Sequence, residues 1–302
     1  MRPFILGTRG SSLAMCQAQI VQTKLEERVP GRTVTIQPIK AQADRNPELP
    51  LVAMGGEGVF VKELETALDE HRIDFAVHSM KDLPLAIPAS LRIAAVLERD
   101  EPRDALVSRS GQALDELPAG SRIGTSSLRR QSQLRHRRSD LQMMEIRGNV
   151  DTRLRKLDEG RYDAIVLAAC GLKRLGLAAR ITECFGYDVM VPEPGQGALA
   201  IEIRADDAEA REVVRAMHDP TSTACVEAER AFLGALGGGC RVPIAAYDEA
   251  HGATLVLRGA VIALDGARKI EDRIAGSMDD AVTLGRTLGE RVLKSGAREL
   301  LR

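Results

Sequence analysis

Three groups of side chains in this 302-residue chain have types and spacings suited to chemistry. In "GALGGGCRVPIAAY" a single thiol, Cys240, stands directly behind Gly237, Gly238 and Gly239 and three residues ahead of Pro243. Glycine opens backbone conformations closed to other residues and proline fixes φ, so this is a bent, exposed turn that presents its thiol to something. Structural cysteines more often sit inside elements as small hydrophobes, and a thiol merely resting in a turn is the competing reading. In "HSMKDLP" (78–84) an apolar strand runs into Lys81 and Asp82 before Pro84 stops regular structure. The carboxyl end of an α/β strand is where that architecture gathers its chemistry; a surface ion pair is the plain alternative. The third group is basic. From Ser121 to Lys156 ten basic residues meet three acidic ones, a local charge of +7 in a chain of net −1. Arg129, Arg130, Arg147 and Arg153 suit an anion bearing several carboxylates or phosphates, because guanidinium forks bind such groups bidentately. Arg135, Arg137 and Arg138 in "RRQSQLRHRR" read equally well as a solvated helix face.

The elements that position these groups follow from an internal duplication. "LDEHRIDFAV" (68–77) and "LDEGRYDAIV" (157–166) match in register, each a helix end running into an apolar strand. "FILGTRGSSLAMCQAQI" and "SRIGTSSLRRQSQL" precede them in the same order, each a strand, a Gly-Thr turn, serines at an N-cap and a helix. With "TVTIQPIKA" and "LQMMEIRG" as intervening strands, the halves are expected to be βαβαβ lobes with parallel sheets. Helix N-termini then lie at strand carboxyl ends, where N–H groups and hydroxyls hold anions. Thr8, Ser11 and Ser12 mark that place in the first lobe; Thr125, Ser126 and Ser127 mark it in the second. If the lobes face each other as in two-lobed binding proteins, Arg9, Arg129, Arg130 and Arg147 line the cleft. The first repeat is longer, 70 positions from Thr8 to His78 against 42 from Thr125 to Leu167. Most of the surplus falls in "QADRNPELPLVAMGGEG", expected to be a lid. Beyond Pro220 a helix, the Cys240 turn, strands and a last helix make a small α+β domain.

Composition limits the function classes. The 44% hydrophobic and 28% charged content is that of a globular chain, and no apolar run approaches the roughly 20 residues of a membrane span. A cytoplasmic protein is expected. Cys16, Cys170, Cys184, Cys225 and Cys240 are widely spaced without a CxxC pair, so neither a disulfide framework nor a zinc site is indicated. A net charge of −1 argues against general nucleic-acid binding.

"GTRGSSLA", "VFVKELETALDEHRIDFAVHSMKDLP", "GTSSLRRQSQL", "IRGNVDTRLRKLD", "LAACGLKRLGL", "PGQGALAIEIR" and "ERAFLGALGGGCRVPIAAY" together closely resemble the porphobilinogen deaminase (hydroxymethylbilane synthase) family, in order from about residue 4 to residue 247. The resemblance implies a monomeric transferase of tetrapyrrole and heme biosynthesis. Such enzymes condense porphobilinogen head to tail on a dipyrromethane cofactor, releasing ammonia, and then free hydroxymethylbilane by hydrolysis. It implies two periplasmic-binding-protein-like βαβ lobes, at 1–97 with 198–216 and at 103–192, and a C-terminal α+β domain at 220–302 that anchors the cofactor. Cys240 matches the cysteine in thioether linkage to the cofactor, and Asp82 matches the catalytic aspartate. Lys81, Asp82, Thr125, Ser126, Ser127, Arg129, Arg130 and Arg147 fall on cofactor-binding positions. Arg9, Ser11, Gln17, Arg147, Arg153, Arg174 and Gln196 fall on substrate-binding ones. The instability of a linear tetrapyrrole further suggests hand-over to uroporphyrinogen-III synthase. Four residues depart from the family's pattern: Ala53 and Glu57 stand where lid lysines are common, Asp151 where glycine is, and Gly237 where an acidic residue is common. Two other classes use the same residues differently: a non-catalytic module for a polyanionic metabolite, and a thiol hydrolase with Cys240 as nucleophile and His78 as base.

Overall fold

The computed structural model describes residues 2–40, 61–238 and 242–301; the expected lid with Ala53 and Glu57, and Cys240 itself, lie outside the described residues. β1 (Phe4–Arg9) ends at a turn where the Ser11 hydroxyl accepts from the Ala14 N–H and caps α1 (Ser12–Arg28). β2 (Val34–Ile39), α2 (Lys62–Asp69) and β3 (Phe75–Ser79) follow, then a 3-10 turn over Met80–Asp82 and β4 (Leu91–Val96). The second lobe opens with β5 (Asp104–Ser108) and continues with β6 (Arg122–Gly124), α3 (Leu128–Arg137), β7 (Gln142–Met144) and α4 (Val150–Asp158). β8 (Ala164–Ala168), α5 (Ala169–Arg174) and β9 (Glu183–Cys184) complete it. β10 (Leu199–Arg204) and α6 (Ala208–Arg215) come next.

The duplication is visible in the sheets, ordered β2-β1-β3-β10-β4 and β7-β6-β8-β5-β9. In each, the first strand of the repeat lies between its two parallel partners. The expectation of parallel sheets needs correcting, because β10 enters antiparallel beside β3, and β5 antiparallel beside β8. Those neighbours come from outside the repeat, so its local pattern carries no sign of them. The chain forms two compact units, Met1–Asp100 with Ala198–Thr223, and Glu101–Gly197 with Ala224–Arg302. In the first, Phe75 and Val77 pack with Val21 and Leu25 on one face of the sheet, and Ala76 packs with Leu64 and Leu68 on the other. Strand alternation therefore sends His78 to the α2 face and Ser79 to the α1 face.

The C-terminal domain is an antiparallel sheet of β11 (Ile244–His251), β12 (Thr254–Ile262) and β13 (Lys269–Ser277). Its core also takes Phe232 from α7 (Pro220–Ala235) and Leu284 and Leu288 from α8 (Ala281–Val292). α7 stops at Gly237, whose φ of +67° suits glycine. The Gly237 and Gly238 N–H groups donate to the Gly234 and Leu233 carbonyls, a Schellman closure that ends the helix just before the cysteine turn. At least one glycine of the run is therefore a helix stop. α8 lies so close to α7 that a Cβ on Gly285 would collide with the Ala228 carbonyl. Gly285→Ala should lower unfolding free energy by about 1–3 kcal/mol through overpacking. An unchanged urea midpoint would contradict so close a crossing.

Candidate active site

The end of β3 and the start of α1 frame a small open pocket whose polar lining is Arg9, Ser11, Gln17, His78, Ser79 and Asp82. The period-2 strand places His78 and Ser79 on opposite faces, and the following turn brings Asp82 to the exposed rim with Lys81 before it. The turn is pinned at both ends: the Met80 N–H donates to the Ala198 carbonyl at 3.0 Å and the Leu83 N–H to the Met80 carbonyl at 3.2 Å. Buried Gln17 donates from Nε2 to Ser79 Oγ at 2.9 Å, which ties α1 to the strand end. On the opposite face, His78 Nε2 lies 2.9 Å from Glu202 Oε2 on β10. His78 is 5% exposed and Glu202 0%. The other carboxylate oxygen of Glu202, Oε1, has no hydrogen-bond partner among the described residues. Glu65 on α2 faces this pair, and burial, then the charge of Glu202, hold its carboxyl above the ordinary value.

The remaining expected residues belong to the other compact unit, around an acid absent from the sequence expectation. Asp104 opens β5 and is fully buried. Its Oδ2 accepts from Arg129 Nη1 at 2.8 Å, and its Oδ1 from Arg130 Nε at 2.9 Å and from Gln196 Nε2 at 3.0 Å. Burial pushes the Asp104 carboxyl up, but Arg129 and Arg130 more than reverse it and hold it well below the usual carboxylate range. Arg130 also donates to the Val166 carbonyl. Arg129 reaches the Val191 carbonyl through Nη1, while its buried Nε and Nη2 have no partner among the described residues. Ser127 caps α3 by accepting from the Arg130 N–H. The Thr125 hydroxyl accepts from the Ser127 N–H, and Ser126 exchanges two hydrogen bonds with the Ile146 backbone, so these hydroxyls shape the turn that presents the arginines.

Arg147 lies in the loop before α4, 3.8 Å from Glu145, and Arg153 donates from Nε to the Gly148 carbonyl at 2.7 Å. Burial, then repulsion from Arg130 and Arg147, pushes the Arg153 guanidinium down to about 10. Arg174 donates to the Gly197 carbonyl at 2.6 Å. The local charge of +7 is thus divided. Arg135 and His136 donate to the Leu264 and Gly266 carbonyls, Arg137 pairs with Asp115, and Arg138 pairs with Asp140 and donates to the Leu114 and Leu117 carbonyls. Those side chains bond within their own compact unit and stand apart from the anion cluster; Arg137 and Asp115 remain exposed, so a solvated face persists there.

Two residues escaped the sequence reading. Asp104 in "DALVS" and Glu202 in "LAIEIR" each put one acid into an apolar strand, and a carboxylate in such a place needs a partner. Among the described residues no group of three or more His, Cys, Asp or Glu side chains is placed to hold a metal ion. No helix of the described residues is long and apolar enough to cross a membrane.

Chemically, the second cluster fits a ligand with several carboxylates. Arg130 and Arg147 repel Arg153 there, and two buried donors of Arg129 have no partner among the described residues. Comparison with known proteins places the chain in a family. Residues 4–212 match the family model described as "Porphobilinogen deaminase, dipyromethane cofactor binding domain", and residues 223–294 match "Porphobilinogen deaminase, C-terminal domain". The porphobilinogen deaminase of Pelobacter propionicus is 47% identical over 300 residues, 99% of this chain and 96% of its own length. That of Roseiflexus sp. (strain RS-1) is 48% identical over 297 residues, 98% of each chain. Among solved structures, a nutrient-binding protein from Burkholderia cenocepacia bound to methionine aligns with TM-score 0.47 and 16% identity, over 72% of this chain and 92% of that one.

Proposed function

The chain belongs to the porphobilinogen deaminase family, and from that membership we propose a role for each residue of its candidate site. The enzyme is a transferase of tetrapyrrole biosynthesis: it condenses four porphobilinogen molecules head to tail, releases ammonia at each step and frees hydroxymethylbilane by hydrolysis. Its cofactor is a dipyrromethane, which when bound supplies an electron-rich pyrrole α-carbon.

Cys240 anchors that cofactor through a thioether. Arg129, Arg130 and Arg147, with Lys81, Asp82, Thr125, Ser126 and Ser127, hold it, the guanidiniums taking its acetate and propionate groups. Arg9, Ser11, Gln17, Arg153, Arg174 and Gln196, with Arg147 shared, hold the substrate's side chains. Asp82 faces the aminomethyl end of porphobilinogen. As the C–N bond breaks and ammonia leaves, the substrate's methylene carbon becomes cationic, and the Asp82 carboxylate lies against that charge. After the new C–C bond forms, the same carboxylate takes the proton lost from the attacking carbon. The observation that carries this reading is the crowding of Arg153 by Arg130 and Arg147, in the unit where Arg129 keeps two buried donors without a partner among the described residues.

The division into 1–97 with 198–216, 103–192 and 220–302 follows the same reading. We place the enzyme in the cytoplasm as a monomer that hands its unstable product to uroporphyrinogen-III synthase. Intact mass spectrometry tests the anchor: the purified protein should be heavier than its sequence by a two-pyrrole group, and Cys240→Ser should lack it. A fully active protein of unmodified mass, or an adduct that survives the substitution, would refute the reading.

A further inference from the structure

Hydrolytic release differs from condensation in one chemical respect: it requires an acid and a base together. The carbon–carbon bond that frees the product breaks when the carbon left behind gains a proton, while the attacking water must lose one. Asp82 can donate the first proton, since the preceding condensation leaves it protonated. Once ionised it can also take the second, but only after the first transfer is complete; a separate base lets water be activated while Asp82 is still giving its proton.

His78 shares the pocket with Asp82, and its ring is bonded to a fully buried carboxylate. A purely structural reason for that pair is weak. Glu202 is taken out of water with one oxygen unsatisfied among the described residues, and apolar side chains of similar volume would serve a sheet core at least as well. A carboxylate on Nε2 holds the ring's proton there and leaves Nδ1 as the acceptor, the arrangement that makes an imidazole a base toward water. Glu65 is the other acid facing the pair, from α2, and Arg9 and Asp82 line the same pocket as His78.

We propose that His78, oriented by Glu202, is the general base for the water that ends chain growth, while Asp82 alone serves the condensations. The inference rests on the assignment of Asp82 above. The step balances: Asp82 gives its proton to the carbon left behind as the C–C bond breaks, and the departing tetrapyrrole carries the positive charge on its methylene carbon. Water adds there as its proton passes to Nδ1, giving the hydroxymethyl group. The imidazolium then returns a proton to Asp82, and both groups are restored.

The test uses primer-loaded enzyme and two variants. His78→Gln keeps an N–H toward Glu202 but removes the ring base. With excess porphobilinogen it should release four ammonia molecules per enzyme at close to the normal rate and then stall, with release of hydroxymethylbilane slowed about 10²-fold. Intact mass should show the protein carrying four further pyrrole units. Glu202→Gln, which keeps the shape but not the charge, should stall at the same point with a slowing of about 10-fold. Product release at the wild-type rate in His78→Gln would overturn the proposal. So would ammonia release slowed in the same proportion as product release, because a merely structural residue retards every step alike. Should His78→Gln fail to load the primer, the mass and burst of Glu202→Gln decide. If the assignment of Asp82 is itself wrong, Asp82→Ala retains its ammonia release, an outcome independent of either variant.

Discussion

Asp82→Ala should release ammonia roughly 10³-fold more slowly than the unaltered enzyme while melting at the same temperature, since a positioned acid–base group contributes about 10²–10⁴. Both halves follow from where the residue sits. Asp82 is exposed, and backbone hydrogen bonds from Met80 and Leu83 hold the turn that carries it. Exposed substitutions of that kind usually change stability by within about 0.5 kcal/mol. The catalytic loss is large because one carboxylate meets two demands in succession, lying against the substrate cation and then taking the proton from the new bond. Asp82→Asn separates them: the amide keeps an oxygen dipole but loses the charge and the basicity, so it should recover little. Asp82→Glu, with charge and basicity at altered reach, should recover more. A steady-state ammonia assay beside a thermal melt reads both quantities. Near-normal turnover in the alanine variant would refute the role, and a collapsed melt would show that the side chain supports the turn.

The position of Asp82 at the end of β3 was legible in the sequence because everything that puts it there is local. Strand, charged pair and proline are consecutive letters, as are the Gly-Thr turn, serine cap and helix of each repeat, and the structure forms both lobes around them. Asp104 and Glu202 were not legible, since each has meaning only through a partner far along the chain. Arg130 is 26 residues from Asp104, and His78 is 124 from Glu202. The antiparallel entry of β5 and β10 is hidden in the same way, because strand neighbours are set by tertiary pairing. The basic stretch was legible in part: the split between its helix-face arginines and its anion-site arginines was expected, but not what each one holds. Its arginines look alike in sequence, yet Arg135, Arg137 and Arg138 hold loops and acids of their own unit while Arg130, Arg147 and Arg153 crowd together.

Asp104→Ala should be the most destabilising single change at the site, lowering unfolding free energy by about 3–5 kcal/mol, the usual result of removing one partner from a buried ion pair. Arg129 and Arg130 are 3% and 5% exposed, and both pair with the Asp104 carboxylate. Without it both guanidiniums keep their desolvation cost and lose their counter-charge. Gln196 loses an acceptor as well. Asp104→Asn should cost less, since an amide oxygen can still accept one of these bonds. The pH dependence has a definite sign. The native carboxyl titrates far below its ordinary value of 3.8, so the stability it contributes is fully present above that value. It is lost only as the pH falls from there toward the native value. Across neutral pH the difference between wild type and Asp104→Ala should therefore stay constant, and it should narrow in strong acid. Urea unfolding of the primer-loaded proteins at several pH values measures this. An alanine variant as stable as the wild type at pH 7 would mean that the two arginines turn out to water, and the anion cluster would then lack the fixed geometry that holding carboxylates requires.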